Sequence, residues 1–321
     1  MKFAILGAGA TGGYLGARLA NAGFDVTLIA RGRNLEALRA NGVRVVEEDG
    51  GELVARPACT DRVEAAAEAD VAFVTLKAHG LAAVAPALGA ALRPESTLVF
   101  AQNGIPWWFF LSEGDRHLES VDPGGAISSS IPAPHVVGCV VYPATSLDEP
   151  GVVRHVEGNR FSLAELDGSR SERVAAISAA LTKAGLRAPV QPRMRQEIWL
   201  KLIGNATLNP VSALTRATLA EMVGDDGTRA LLRTMMLEVE AVGRALGIEP
   251  DIGVERRLEG AGRVGHHRTS MLQDAEAGRP LEVEALVGSV VELAGQLGVP
   301  VPTLTVVCQL TRQLDRSLRR S

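Results

Sequence analysis

Two short stretches of this sequence combine residue types and spacings that can do chemistry. The first is Gly7-Ala8-Gly9-Ala10-Thr11-Gly12, directly after the apolar run Phe3-Ala4-Ile5-Leu6. Glycine at the first position permits a tight turn, at the second it lets a diphosphate approach the backbone, and at the third it lets a helix pack closely on the preceding strand. The first amides of that helix then face the anion. The second stretch runs from Gln196 to Pro210, where Glu197, Lys201, Asn205 and Asn209 recur every four residues. On a helix they form one polar stripe among residues that are otherwise almost all apolar or small. A surface helix normally carries a broad polar face, so this one is expected to be buried nearly all round, with its stripe facing something polar such as a cleft between domains. A Glu197–Lys201 surface pair with two asparagines capping turns fits the same spacing, and Asn209 before Pro210 is a natural helix end. Spacing alone leaves both readings open.

The glycine turn needs a strand before it and a helix after it, and the sequence offers both. A buried strand is expected over 2–6, a helix up to Asn21, a stop at Gly23 and a second strand over 25–30. The end of that second strand selects the nucleotide: an acid there accepts from a ribose hydroxyl, whereas an arginine accommodates a 2′-phosphate. Here Thr27-Leu28-Ile29-Ala30 runs into Arg31-Gly32-Arg33 with no acid, which favours NADP(H). The pattern then alternates as a doubly wound sheet does. Helix is expected over 34–40, a hairpin over 43–54 around Asp49-Gly50-Gly51, helix over 62–69, strand over 71–76, helix over 79–91 and strand over 97–101. Ligands of open α/β sheets lie outside the carboxyl ends of the strands. The strand ends Thr75-Leu76-Lys77 and Gln102-Asn103-Gly104 therefore put Lys77 and Asn103 where a nicotinamide or substrate is reached, although a plain strand-end loop explains either one alone.

The alternation stops over 105–135, which holds Trp107-Trp108-Phe109-Phe110 and Pro123-Gly124-Gly125. Clustered aromatics argue against disorder, and a lid, an apolar pocket wall and a contact in a homodimer are equal readings of so long a connection. Strands resume over 136–142, 152–156 and 161–165, followed by a helix over 171–184. After Pro189 and Pro192 the strand-like runs disappear, and helical periodicity continues through 228–246, 282–297 and 303–318. The expected class is α/β: a Rossmann-type doubly wound sheet over 1–191 that binds NADP(H), joined to an all-helical substrate and catalytic domain over 192–321.

Composition excludes several alternatives. Lys and Arg number 33 against 37 Asp and Glu, so the basic stripe that nucleic-acid binding requires is missing. The three cysteines, Cys59, Cys139 and Cys308, are widely spaced and match no metal-ligand pattern, which suits reduced thiols in the cytoplasm and no metal site. An export signal needs an unbroken apolar helix of roughly 7–15 residues, and Gly7, Gly9, Gly12 and Gly13 interrupt the N-terminal run. No stretch approaches the ~18 apolar residues of a membrane span, so a soluble protein with no membrane partner is expected.

Taken in order, the glycine turn, Thr75-Leu76-Lys77-Ala78, Gln102-Asn103-Gly104, the Lys201/Asn205/Asn209-Pro210 helix, Ser270-Met271-Leu272-Gln273-Asp274 and Gly278-Arg279-Pro280-Leu281-Glu282 resemble the ketopantoate reductase family. The resemblance implies NADPH-dependent reduction of a small 2-keto acid to a 2-hydroxy acid, ketopantoate to pantoate on the route to coenzyme A. It implies Lys201 as catalytic acid, with Asn205, Asn209 and Ser270 holding the substrate. Arg31, Lys77, Asn103, Ala144 and Glu282 would line the cofactor or the shared active site, Asn103 also on the substrate and Glu282 also catalytic. The chemistry is consistent: a protonated lysine stabilises the charge that hydride leaves on a ketone oxygen and supplies the proton, and asparagine amides donate to a carboxylate or hydroxyl. Glu282 near a helix start also suits the helix dipole.

Departures from the family pattern bear on the substrate. Thr218-Leu219 stands where an Asn-Gly pair is usual, His79 follows Lys77 where Gln is frequent, and 105–135 is longer and more aromatic than the usual connection. A bulkier or more apolar 2-keto acid fits these changes. A 3-hydroxyacid dehydrogenase with the same two-domain plan is disfavoured by the segment from Ser270 to Glu282. An NADPH-binding redox sensor, docking a partner through the aromatic segment, has no use for Lys201 together with Asn205 and Asn209.

Overall fold

The computed structural model describes residues 1–112, 114 and 116–320. In chain order the elements of the first part are β1 (Lys2–Leu6), α1 (Ala10–Asn21), β2 (Asp25–Ile29), α2 (Gly32–Asn41), β3 (Val43–Val46), β4 (Glu52–Ala55), β5 (Ala58–Thr60), β6 (Val71–Val74), α3 (Ala85–Ala91), β7 (Thr97–Phe100), β8 (Val136–Val141), β9 (Ala144–Glu149), β10 (Val152–Glu157), β11 (Phe161–Glu165) and α4 (Glu172–Lys183). Those of the second part are α5 (Met194–Thr215), α6 (Leu219–Gly224), α7 (Asp226–Ala245), α8 (Val254–Val264), α9 (Ser270–Glu276), a π-helical turn (Glu284–Gly288), α10 (Ser289–Leu297) and α11 (Pro302–Leu318).

Continuous apolar strands such as Val71–Val74 and Thr97–Phe100 are buried along their whole length, as central parallel strands must be when both faces are covered. They sit in a seven-stranded sheet of order β11-β8-β7-β6-β1-β2-β5, parallel except for the antiparallel β8/β11 pair. The order reverses at β1, so the turn that follows β1 opens at the switch point where such sheets bind ligands. A second, four-stranded sheet of order β4-β3-β10-β9 is formed by the hairpin around Asp49-Gly50-Gly51 and a later one, joined through the parallel β3/β10 pair. Sequence reading found the first hairpin and the strand over 152–156, but neither β9 nor the pairing of β10 with β3, and pairing strands a hundred residues apart leaves no local signal.

By its contacts the chain divides into one unit of Met1–Gln102, Trp107–His117 and Asp122–Met194 and another of Asn103–Pro106, Leu118–Val121 and Arg195–Ser321. In the second unit α7 packs against α6, α8, α10 and α11. Its Glu238 accepts from the first amides of α11, Thr303 N–H at 3.0 Å and Leu304 N–H at 2.8 Å, and so caps that helix from outside. Trp199 of α5 is 1% exposed and donates through Nε1 to the Val239 carbonyl at 3.3 Å.

Several local expectations need correction. The helix expected over 62–69 is only a 3₁₀ turn at Val63–Ala66, and that over 79–91 divides into a 3₁₀ turn at Ala78–Gly80 and the short α3. Pro86 lies in the first turn of α3, where its missing N–H costs nothing. Conversely α5 does not stop at Asn209 but continues through Pro210 to Thr215. Val211, Ser212 and Ala213 are 2%, 0% and 0% exposed, and burying them outweighs the hydrogen bond that Pro210 cannot give. The aromatic segment is core: Trp107, Trp108, Phe109 and Phe110 are 8%, 4%, 2% and 4% exposed. Trp107 meets Phe100 edge-on at 5.3 Å between ring centres, and the Trp108 ring lies where a side chain at Gly138 would stand. Side chains so enclosed form neither a lid nor a docking surface for a second molecule. Glu113 and Asp115, within the same segment, and Ser321 lie outside the described residues.

Candidate active site

In the first unit the glycine turn is built by close approach. Gly7 adopts φ +105°, a conformation that favours glycine, and a Cβ there would meet Leu76 N at 2.8 Å. Its N–H and that of Ala8 both donate to the Ile29 carbonyl, at 3.0 and 3.1 Å, which ties the turn to the end of β2. A Cβ on Gly12 would collide with the Gly7 carbonyl oxygen and stand 2.5 Å from Thr75 Oγ1, so only glycine lets α1 sit this close to the strand ends. Gly9, by contrast, has nothing within 4 Å of where its Cβ would be. It is the N-cap of α1 with no side-chain cap, so the first amides of the helix are left for something else. Open space beside uncapped helix amides is what a diphosphate requires.

Around that turn is a cavity of ≈ 330 Å³ lined by Gly7, Ala8, Gly9, Arg31, Asn34 and Lys77, among others. Arg31, the N-cap of α2, is exposed at its edge, and no acid lies at the end of β2. Lys77 precedes the 3₁₀ turn Ala78–Gly80 at the end of β6. Ala10, Thr11 and Gly12 form the first turn of α1, and Thr11 Oγ1 lies 3.4 Å from Thr145 Oγ1, which sets Ala144, the neighbouring residue of β9, beside that helix. Asn34 was missed by sequence reading. Its amide nitrogen donates to the Ala8 carbonyl at 2.7 Å and its oxygen accepts from Gly151 N–H at 2.8 Å, so one side chain links the glycine turn to the β9/β10 hairpin. An amide in the first turn of α2 was the only available signal, and such residues usually serve as caps.

In the second unit, α5 is enclosed as expected: no residue from Met194 to Leu214 is fully exposed. The Lys201 amine donates to Asn103 Oδ1 at 2.6 Å, a short charge-assisted contact joining two residues 98 positions apart. Asn209, 6% exposed, directs its amide nitrogen at Ser270 Oγ at 3.5 Å, the limit of a hydrogen bond. Ser270 is the first residue of α9, exposed, behind an N-cap in which Thr269 Oγ1 accepts from Leu272 N–H at 3.2 Å. Asn205 is half-buried, and its amide has no hydrogen-bond partner among the described residues. Just before Lys201, Arg257 donates to the Leu200 carbonyl at 3.0 Å; burial lowers the pKa of that guanidinium, which Glu240 and Asp251 partly offset.

The segment after α9 is stitched to it by Arg279, whose Nε donates to Asp274 Oδ1 at 2.9 Å and whose N–H donates to the Asp274 carbonyl at 2.8 Å. Leu281 N–H then donates to Asp315 Oδ1 at 2.8 Å, and the Glu282 carbonyl accepts from Leu286 N–H at 3.2 Å as the helix begins. The structure thus brings together Lys201 with Asn103, Asn209 with Ser270, and the glycine turn with Arg31 and Lys77. Among the described residues no group of three or more His, Cys, Asp and Glu could hold a metal, and no helix is long and apolar enough to cross a membrane.

Comparison with known proteins gives this geometry a family. The model for "Ketopantoate reductase PanE/ApbA" matches residues 3–168, and that for "Ketopantoate reductase PanE/ApbA C terminal" matches residues 193–315. A 2-dehydropantoate 2-reductase of Mesorhizobium japonicum is 51% identical over 98% of both chains. Among solved structures, one from Ralstonia solanacearum assigned to the ketopantoate reductases superposes with a TM-score of 0.93 at 40% identity, covering 99% of this chain and 98% of that one. A PanE/ApbA family ketopantoate reductase from Ralstonia eutropha gives 0.86 at 28% identity, covering 99% and 100%. With both halves of the family pattern matched in order on a Rossmann-type sheet and a helical second unit, the chain belongs to the ketopantoate reductase family of oxidoreductases.

Proposed function

We propose that the protein reduces a 2-keto acid to the 2-hydroxy acid with NADPH, that ketopantoate is the first substrate to test, and that Lys201 is the acid. The observation that carries this reading is the 2.6 Å contact between the Lys201 amine and Asn103 Oδ1 on a helix whose next two stripe members, Asn205 and Asn209, are amides. In its protonated form a lysine amine carries three hydrogens, so it can donate to a substrate oxygen as well as to a protein acceptor such as Asn103 Oδ1. The first unit carries the cofactor in this reading: the uncapped amides of α1 and the open space at Gly9 take the diphosphate, Arg31 the 2′-phosphate, and Lys77 lies along the same cavity. When bound, NADPH supplies the hydride. Lys201 stabilises the charge that develops on the carbonyl oxygen and delivers the proton there, so carbon gains hydrogen, oxygen gains hydrogen and the product is the alcohol. Asn205, with its amide uncommitted, and the Asn209/Ser270 pair are suited to hold the substrate carboxylate or a hydroxyl. Glu282 is the remaining site candidate, at the head of the helical segment that follows Leu281.

The test is consumption of NADPH and of NADH by the purified protein with ketopantoate and a panel of branched and aromatic 2-keto acids. Turnover fastest with ketopantoate and NADPH is expected; fastest turnover of another 2-keto acid would keep the mechanism and reassign the substrate. Lys201→Ala should lower kcat by about 10²–10⁴-fold, the usual worth of a positioned acid, while the variant still binds NADPH. Near-normal turnover by a folded Lys201→Ala would remove lysine from the mechanism.

A further inference from the structure

The Asn103–Lys201 contact depends on where the short tract Asn103–Pro106 is held, and an irregular piece of helix holds it. Over Glu284–Gly288 the helix widens into a π turn, in which Ser289 N–H reaches the Glu284 carbonyl instead of that of Ala285. The Ala285 carbonyl accepts from Ile105 N–H at 2.9 Å and from Ser289 Oγ, also at 2.9 Å, with Ser289 0% exposed. Gly104 lies flat on the same carbonyl: at φ +89°, any Cβ there would collide with the Ala285 oxygen. The π turn is itself braced. Arg312 grips Glu284 with both ends of its guanidinium, Nε to Oε1 at 2.8 Å and Nη2 to Oε2 at 2.6 Å, and Gly288 has no side chain that would strike that carboxylate. π turns are rare and persist mainly where function requires the displaced backbone.

We infer that the π turn is a mount for the active-site lysine: Ala285 and Gly104 are positioning residues that set Asn103 against Lys201, and the turn's irregular register is what turns the Ala285 carbonyl to that task. The inference rests on the reading of Lys201 as the acid. It gives the irregularity a purpose, because an α-helical register would aim Ser289 N–H at the Ala285 carbonyl, in competition with Ile105 N–H.

A double-mutant cycle between Gly104→Ala and Asn103→Ala tests it, with kcat, its pH profile and the NADPH dissociation constant from fluorescence titration as readouts. Gly104→Ala should lower kcat by about 10–100-fold, the effect of a displacement near 1 Å, and leave NADPH binding within about twofold. The basic limb of its kcat profile should move in the same direction as in Asn103→Ala, and the double variant should be no slower than Asn103→Ala alone, because both changes act through one contact. Multiplied losses in the double variant, or a Gly104→Ala that turns over normally, would overturn the mount. If Gly104→Ala does not fold, Ser289→Ala takes its place in the cycle, with a loss of about threefold expected from one weakened buried hydrogen bond and absent in the Asn103→Ala background. Lys201→Ala run beside these separates the two ideas: full turnover there removes the acid, whereas an inactive Lys201→Ala beside multiplied losses removes only the mount.

Discussion

Gly12→Ala is the sharpest test of how the proposed nucleotide site is built. The new Cβ would run into the Gly7 carbonyl oxygen, 2.5 Å from Thr75 Oγ1 and 2.9 Å from Ile5 Cγ2. None of these can easily give way: Gly7 is tied to Ile29, Thr75 Oγ1 donates to the Gly7 carbonyl at 2.7 Å, and Ile5 is 0% exposed. Alanine gains about 1 kcal/mol over glycine inside a helix, while overpacking costs about 1–3 kcal/mol, so the free protein should lose about 0–2 kcal/mol. Binding should suffer more, because the helix can relieve the clash only by moving its amide end away from the turn. The assay is urea denaturation with and without NADPH at one fixed concentration. A ligand at a hundred times its dissociation constant stabilises by about 2.7 kcal/mol, and a tenfold weaker affinity takes about 1.4 kcal/mol off that increment. Gly9→Ala is the contrasting control. Its Cβ meets nothing in the protein, so the free protein should keep its stability while the NADPH increment shrinks. The reasoning fails if Gly12→Ala is more stable than the parent with its NADPH increment intact, or if Gly9→Ala binds NADPH as the parent does.

Arg31→Ala should weaken NADPH at least about tenfold, the loss of one charge-assisted phosphate contact, and leave NADH nearly unaffected, as steady-state KM values for the two cofactors would show. Gly243→Ala places a methyl 2.8 Å from Trp199 Cδ1 and against its ring nitrogen; a net loss of up to about 2 kcal/mol is expected after the helix-propensity gain, read by denaturation and by Trp fluorescence. Burial would raise the pKa of Glu165, but hydrogen bonds from Arg173 and Ser171 outweigh it and hold the carboxyl below its ordinary value. The stabilisation is therefore present above the unfolded carboxylate pKa of about 4.3 and is lost as pH falls through the lower folded value. Arg173→Met should be less stable than the parent near neutrality, and the gap should close below that range in acid denaturation; a gap that does not change with pH would refute the assignment.

What could be read in the chain beforehand was whatever depends on near neighbours. The strand Phe3–Leu6, the glycine spacing, the acid-free end of β2 and the four-residue stripe of α5 are local patterns whose meaning follows from backbone geometry at that point. Trp107–Phe110 stayed open for the same reason: four adjacent aromatics look the same in sequence whether they face a ligand, a partner or, as Trp107 and Trp108 do here, Phe100 and Gly138 in the interior.

The sequence by itself determined the class of the fold, the glycine turn after β1, the cationic end of β2 and the helix that carries Lys201, because each arises from periodicity or from residues adjacent in the chain. Tertiary structure alone decided that Asn103 receives the Lys201 amine, that Asn34 ties Ala8 to Gly151, that α5 runs on through Pro210, and that the Ala285 carbonyl is captured by Ile105. Each of these is a choice among partners far apart in the chain, or between a local preference worth a few kcal/mol and burial of comparable worth. Such contests are settled only when the competing surfaces are folded against one another.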